Sequence, residues 1–213
     1  MDKENRDEMI NFDSLNQIHV DVLKEIGNIG LGNAIGSLSQ LIGKPVKMTV
    51  PEVKILGFKD VGSIIGGDEV VIFGILVALS GDINGMMMFL IKPDSARVMI
   101  DRMLGGMTNS TTDEFNELDI SALQEIGNIL CSSYLGSMSQ LLNKQVTPTP
   151  PVIALDMATA ILSVPAIEFG KMSDGVLFID TIFDTDGEKI SGFFLLVPDM
   201  ESFRLILETL GVL

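Results

Sequence analysis

DVLKEIGNIGLGNAIGSLSQLIGKPVKMTVP, at residues 21–51, recurs as SALQEIGNILCSSYLGSMSQLLNKQVTPTPP at residues 121–151, an offset of 100 residues without a gap. The two segments are identical at 15 of 31 positions, where ordinary residue frequencies would give about two. The likeness continues more loosely, because Leu90–Asp94 resembles Leu196–Asp199 near the end of each half. The chain is therefore an internal duplication, with each half about 100 residues long.

Each half begins with a pattern typical of a long helix and continues with patterns typical of strands. Apolar residues recur at helical spacing at Leu15, Ile18, Val22, Ile26 and Ile29, and again at Leu118, Ala122, Ile126 and Ile129. Ser14 and Gln17 have the spacing of a capping box at the first helix start. Strands are predicted at Val50–Phe58, Val70–Leu79 and Met86–Ile91, with hairpin loops at Gly81–Gly85 and Asp184–Gly187. Further helices are predicted at Asp94–Leu104, Asp199–Leu210 and, as a short one, Ala154–Ile161.

These patterns predict an α+β fold with a pseudo-two-fold internal duplication. Short strands joined by hairpins imply one antiparallel sheet fed by both halves, with the long helices packed around it. We expect a flexible N-terminal segment at 1–13 and a single domain over 14–213. That domain consists of two repeats, at about 14–107 and 114–213, joined by a polar connection at 108–113.

Composition excludes several classes of function. A net charge of −15 would repel a phosphate backbone, so nucleic acid is not expected as a ligand. The only cysteine, Cys131, and the only histidine, His19, cannot build a disulfide, a thiolate zinc cage or a site made from several imidazoles, so no metal site is predicted. The longest apolar run, Val70–Leu79, falls short of the ~20 residues that cross a bilayer. We expect a cytoplasmic protein without membrane insertion.

The informative repeated residues are the polar ones that lie off the apolar stripe of the first helix. At 100° per residue, Asp21, Glu25 and Asn28 share one exposed face of that helix. Ser121, Glu125 and Asn128 recur in the same register. A solvated helix face would explain a single such pair, and a capping or interhelix hydrogen bond would explain a mid-helix Asn, which is a mediocre helix former. Retention of the carboxylate and the carboxamide in both halves favours a functional surface.

The pattern Asp/Ser-x3-Glu-x2-Asn-x22-Pro is met twice, ending at Pro51 and at Pro151. It resembles the CheC/CheX/FliY family of chemotaxis phosphatases, and the two-copy layout is similar to the CheC branch. The resemblance implies hydrolysis of the aspartyl phosphate of phospho-CheY, with catalytic roles for Glu25, Asn28, Glu125 and Asn128. Each Asn would orient the attacking water, and each Glu would dock against the regulator's Lys rather than act as a general base, since a solvated carboxylate is a weak base. Asp21 and Ser121 would contribute contacts.

The resemblance also implies which cofactors and partners to expect. Pro51 and Pro151 would start a strand and fix its register. No cofactor is expected in the chain itself, while Mg²⁺ would be held by the partner response regulator. CheD is expected to bind at 156–162, through Asp156, Met157 and Ile161. The duplication makes a monomer the expected state. A CheD-binding regulator with little catalysis, or an interaction module like the flagellar switch protein FliM, remain the alternatives.

Overall fold

The computed structural model describes residues 17–50, 52–106, 114–169 and 175–211. The predicted N-terminal segment 1–13, the Ser14 cap, Pro51 and the connection 108–113 lie outside the described residues. The helices are α1 (Gln17–Ile42), α2 (Phe58–Ile65), α3 (Pro93–Met103), α4 (Glu117–Leu142), α5 (Ala158–Phe169) and α6 (Met200–Thr209). The strands are β1 (Val46–Thr49), β2 (Val53–Gly57), β3 (Val71–Gly81), β4 (Gly85–Ile91), β5 (Val146–Pro148), β6 (Val152–Met157), β7 (Gly175–Thr185) and β8 (Glu188–Pro198).

The predicted duplication is visible in the element order. Helices α1 and α4 are both 26 residues long and are separated by the same 100 residues as the sequence repeat. Each is followed by two short strands, a short helix, a long hairpin and a final helix. The α+β fold class and the predicted hairpins are therefore confirmed. The second hairpin turns at Asp186–Gly187, where both residues have positive φ (55° and 82°), as a two-residue hairpin turn requires.

Within the described residues the strands form one antiparallel sheet in the order β1-β7-β8-β4-β3-β5, in which β2 also pairs with β7 and β6 also pairs with β3. The two halves meet at the centre, where β4 pairs with β8. The outer strands are exchanged between the halves, because β1 and β2 of the first repeat pair with β7 of the second, and β5 and β6 pair with β3. Neither repeat therefore completes its own sheet.

Alternating side chains cover the two faces of this sheet with separate cores. On one face Phe73, Ile75 and Phe89 pack with α1, α3 and α4. On the other face Ile72, Met88 and Leu90 pack with α2 and α5. The sheet thus lies between two layers of helices, and the site-bearing helices α1 and α4 share one layer. No helix in the described part of the chain combines the length and apolar character needed to cross a membrane.

Two predicted elements differ from the structure. The short helix expected at Ala154–Ile161 is wrong in its first half, because residues 152–157 form β6 and the helix begins only at Ala158. Six residues of β6 pair with β3, from Val71↔Met157 to Leu76↔Val152, and these sheet bonds outweigh the local helix preference of the segment. The strand expected at Val50–Phe58 is shorter, since β2 covers Val53–Gly57 and α2 begins at Phe58.

Candidate functional site

The glycine of each Glu-Ile-Gly-Asn motif faces the sheet. A Cβ built on Gly127 would lie 2.6 Å from Ile75 Cγ2 and 2.7 Å from Ile75 Cδ1. A Cβ on Gly27 would lie 3.8 Å from Ile179 Cγ2, which is an ordinary contact. Both glycines are buried. Because each helix rests on the sheet at its glycine, the neighbouring Glu and Asn are turned toward solvent.

Three of the four predicted catalytic side chains are exposed, namely Glu25, Asn28 and Glu125. Within the described residues none of the three has a side-chain hydrogen bond or an ion pair, so each is available to an external group. Asn128 is half-buried, and its Oδ1 accepts a hydrogen bond from Ser132 Oγ at 3.4 Å. The two sites therefore share residue types but differ in how the carboxamide is held.

The remaining motif residues lie beside these pairs. Asp21 and Ser121 are exposed one helical turn before the two glutamates. Pro151 directly precedes β6, and its carbonyl accepts a hydrogen bond from Gln124 Nε2 at 2.6 Å. This bond ties the start of an edge strand to the helical turn that carries Glu125. Pro51, its counterpart, is not among the described residues.

Helices α1 and α4 touch each other immediately after the motif. A Cβ on Gly30 would lie 3.0 Å from Tyr134 Cδ2 and 3.2 Å from Tyr134 Cα, so Gly30 allows the two helix backbones to approach closely. One turn further, Asn33 Nδ2 donates to Ser137 Oγ at 2.8 Å. Sequence analysis did not identify the Asn33–Ser137 contact, because Asn33 is not retained in the second repeat. The crossing fixes the two motif helices against each other.

The start of α4 is anchored by a buried ion pair. Asn116 and Asp119 form a capping box, in which Asn116 Oδ1 accepts from the backbone of Leu118 and Asp119. Arg97 of α3 donates from Nη1 to Asp119 Oδ2 at 2.8 Å, and the carboxylate is buried. This arrangement sets the position of α4 one and a half turns before Glu125.

The segment predicted to contact CheD is divided between two elements. Asp156 and Met157 are exposed at the end of β6. Ile161 lies in α5 with 6% of its surface exposed and packs over Gly74 of β3, so it belongs to the core and offers little surface to a partner. Other exposed apolar side chains of β6 and α5 are Val152, Leu155, Val164 and Ile167.

The chemistry available at the motif is that of a neutral amide and a carboxylate. An Asn carboxamide both donates and accepts hydrogen bonds without changing its protonation state, and a Glu carboxylate accepts from a cation. Among the described residues no group of three or more His, Cys, Asp or Glu side chains is arranged to hold a metal ion. Cys131 is buried in α4, where burial raises the pKa of its thiol to about 12, so it is poorly suited to act as a nucleophile.

Fold and site together define an internally duplicated α+β protein that presents the same carboxylate–carboxamide pair on each of two neighbouring helices. The model of the CheC-like family matches residues 18–55 and 118–155, which are the two motif segments. A Bacillus subtilis protein named CheY-P phosphatase CheC is 30% identical over 203 residues, covering 94% of this chain and 97% of that protein. The chain belongs to the CheC-like family.

Solved structures share the fold. The crystal structure of Thermotoga maritima FliY matches with a TM-score of 0.74 and 23% identity, covering 93% of this chain and 97% of that one. The FliM middle domain of H. pylori matches with a TM-score of 0.65 and 13% identity, covering 92% and 99%. At these identities the two likenesses concern the fold alone.

Proposed function

We propose that this chain is a phosphatase that hydrolyses the aspartyl phosphate of a CheY-like response regulator. Membership in the CheC-like family and the CheY-P phosphatase relative support this activity. The observation that carries the proposal is the exposed Glu/Asn pair, present once on α1 and once on α4. Two such pairs amount to two active sites, one in each repeat.

Each Asn orients the attacking water. The carboxamide oxygen accepts a hydrogen bond from the water, and the Nδ2 group donates to a phosphoryl oxygen. The water oxygen forms a bond to phosphorus, and the bond between phosphorus and the aspartate oxygen breaks. The regulator recovers its carboxylate, and inorganic phosphate leaves as dihydrogen phosphate, which keeps both protons of the water. Holding the water in line with the breaking bond lowers the entropic part of the barrier, as does the water-orienting glutamine of GTPases.

Each Glu docks the regulator. Glu25 and Glu125 have no cation partner in the part of the chain that the structure describes, so each can pair with a Lys in the regulator's active site. Each lies three residues before its Asn, on the same face of the same helix, so docking of the carboxylate places the carboxamide next to the phosphoryl group. The regulator supplies Mg²⁺ to the phosphoryl oxygens, and this chain supplies none.

CheD is proposed as a second partner, in contact with the exposed end of β6 at Asp156 and Met157. The exposed apolar side chains of β6 and α5 offer surface for such a contact. These two residues end β6 directly before α5, whereas the Glu/Asn pairs lie on α1 and α4. We also propose that the protein is a monomer and that it is located in the cytoplasm.

An interaction module like FliM is the second candidate, favoured by the shared fold. It would need the exposed faces of α1 and α4 for contacts but not the water-orienting chemistry. The two candidates separate on turnover, because a pure docking surface would bind the phosphorylated regulator without accelerating its decay.

The test is the decay of a CheY-type receiver domain phosphorylated with phosphoramidate, in the presence of wild type, Asn28→Ala, Asn128→Ala and the double variant. We expect the double variant to lose tenfold or more, which corresponds to about 1.4 kcal/mol of transition-state stabilisation. Gln40→Ala and Gln140→Ala are matched controls, because both remove an exposed carboxamide from α1 or α4 at a distance from the motif. A wild type no faster than spontaneous decay would reject the phosphatase, and an equal loss in the controls would reject the water-orienting role of Asn28 and Asn128.

A further inference from the structure

The two sites differ at the residue four positions after the Asn. In the second site this residue is Ser132, whose Oγ donates to Asn128 Oδ1 at 3.4 Å. In the first site the corresponding residue is Gly32, which has no hydroxyl. Asn28 is accordingly exposed and without a side-chain partner among the described residues, whereas Asn128 is half-buried and hydrogen-bonded.

The bond of Ser132 is not the usual one for a serine within a helix. Such a hydroxyl commonly donates to the backbone carbonyl four residues earlier, as Ser137 does to Ser133 O at 3.0 Å. Ser132 instead donates to the side chain of the residue four positions earlier. Its hydroxyl is therefore directed at the carboxamide rather than at the helix backbone.

We propose that Ser132 is a positioning residue that orients the Asn128 carboxamide for water alignment, and that the second site is the better pre-organised of the two. This inference rests on the proposed function. A carboxamide oxygen has two acceptor positions. Ser132 occupies one, which leaves the other for water and leaves both Nδ2 hydrogens for the phosphoryl group.

The benefit follows from the entropy of ordering a side chain. An exposed Asn still rotates about both side-chain bonds after the regulator docks and must be ordered as the transition state forms. Asn128 is already held by Ser132, so less ordering remains for the reaction. Ser132 acts through Asn128 and not on the regulator, so its removal is expected to lower kcat and leave KM unchanged.

The experiment isolates one site at a time and varies only the hydroxyl. With the second site alone active, in an Asn28→Ala background, the Ser132, Ser132→Ala and Ser132→Thr forms are compared. With the first site alone active, in an Asn128→Ala background, Gly32→Ala and Gly32→Ser are compared. A Cβ at Gly32 would meet no atom within 4 Å, so both substitutions fit. Ala is a better helix former than Ser, so a loss on Ser132→Ala cannot come from a weaker helix.

We expect Ser132→Ala to lower kcat about two- to tenfold at constant KM, because one exposed side chain must then be ordered at each turnover. Ser132→Thr keeps a hydroxyl and should keep kcat. Gly32→Ser should exceed Gly32→Ala by a similar factor. Gly36→Ser is the matched control, since it adds the same side chain to open space on α1, two turns beyond the motif.

Three results would overturn the inference while leaving the phosphatase intact. The first is an unchanged kcat in Ser132→Ala. The second is an equal loss of kcat in Ser132→Ala and Ser132→Thr. The third is an Asn28→Ala protein without phosphatase activity when the wild type is active. A wild type that never exceeds spontaneous decay would instead reject the proposed function itself, and this inference with it.

Discussion

An alanine at Gly27 and an alanine at Gly127 should have opposite effects on stability, although the two glycines are equivalent in the repeat. In a helix interior, Gly→Ala stabilises by about 1 kcal/mol when the methyl group fits. At Gly27 it fits, because the nearest atom would lie 3.8 Å away. At Gly127 it would meet Ile75 Cγ2 at 2.6 Å, Cδ1 at 2.7 Å and Cβ at 3.2 Å.

Ile75 has little freedom to move aside. It is β-branched, fully buried and part of β3, so relief requires α4 to shift away from the sheet. Overpacking of this kind costs about 1–3 kcal/mol, and we expect the upper end, about 3 kcal/mol, since two atoms of a stiff side chain are involved. Subtracting the helix gain of about 1 kcal/mol leaves a net loss of about 2 kcal/mol. The two variants should therefore differ by about 3 kcal/mol.

Equilibrium urea unfolding, followed by far-ultraviolet circular dichroism, measures both free energies of unfolding in one experiment. The same proteins should differ in function, because a shift of α4 displaces Glu125 and Asn128, and small misplacements of reacting groups are costly. Measured in an Asn28→Ala background, Gly127→Ala should lower the phosphatase rate. A Gly127→Ala protein as stable as Gly27→Ala would refute this account of how the motif helix rests on the sheet.

Three further predictions concern single groups. Arg97→Ala should lower the free energy of unfolding by about 3 kcal/mol, measured by urea unfolding, because it leaves the Asp119 carboxylate buried without its cation. An effect below about 1 kcal/mol would show that the pair is not buried in solution. Cys131 should resist iodoacetamide at pH 8 in the folded protein and react only on unfolding, because burial raises its pKa to about 12; labelling of native protein, read by mass spectrometry, would contradict this. The hydrogen bond from Lys44 lowers the pKa of Asp186, so Lys44→Gln should raise that pKa in a carboxyl NMR titration. In wild type the Lys44–Asp186 pair stabilises the folded protein at pH values above the ordinary aspartate pKa. This contribution is lost as the pH falls through the lowered pKa.

The repeat, the fold class and the exposed motif face could be predicted because each depends on local periodicity. A 3.6-residue period places Glu25 and Asn28 on one face whatever the helix packs against. A glycine within a helix can allow another element to approach closely, but only Gly27 lies against the sheet, whereas Gly36 faces open space. No property of a lone glycine in the sequence distinguishes the two cases.

The exchange of outer strands and the difference between the two sites could not be predicted. Which strand pairs with which depends on contacts between residues far apart in sequence, and β6 shows such contacts overriding a local preference for helix. The sequence shows that Ser132 stands where the first repeat has Gly32, but not what its side chain contacts. Its hydrogen bond to Asn128 depends on a rotamer that sequence spacing does not fix.

The exchanged outer strands also bear on how the two candidate sites can change over time. A separate single repeat would leave one edge of its sheet unfinished and would need a second copy to finish it. In a pair of identical copies every substitution appears twice, so both sites gain or lose together. In one continuous chain a substitution appears once, and one site can be refined while the other keeps its original form. The glycine at residue 32 and the serine at residue 132 are such a divergence within an architecture that still holds the two repeats together.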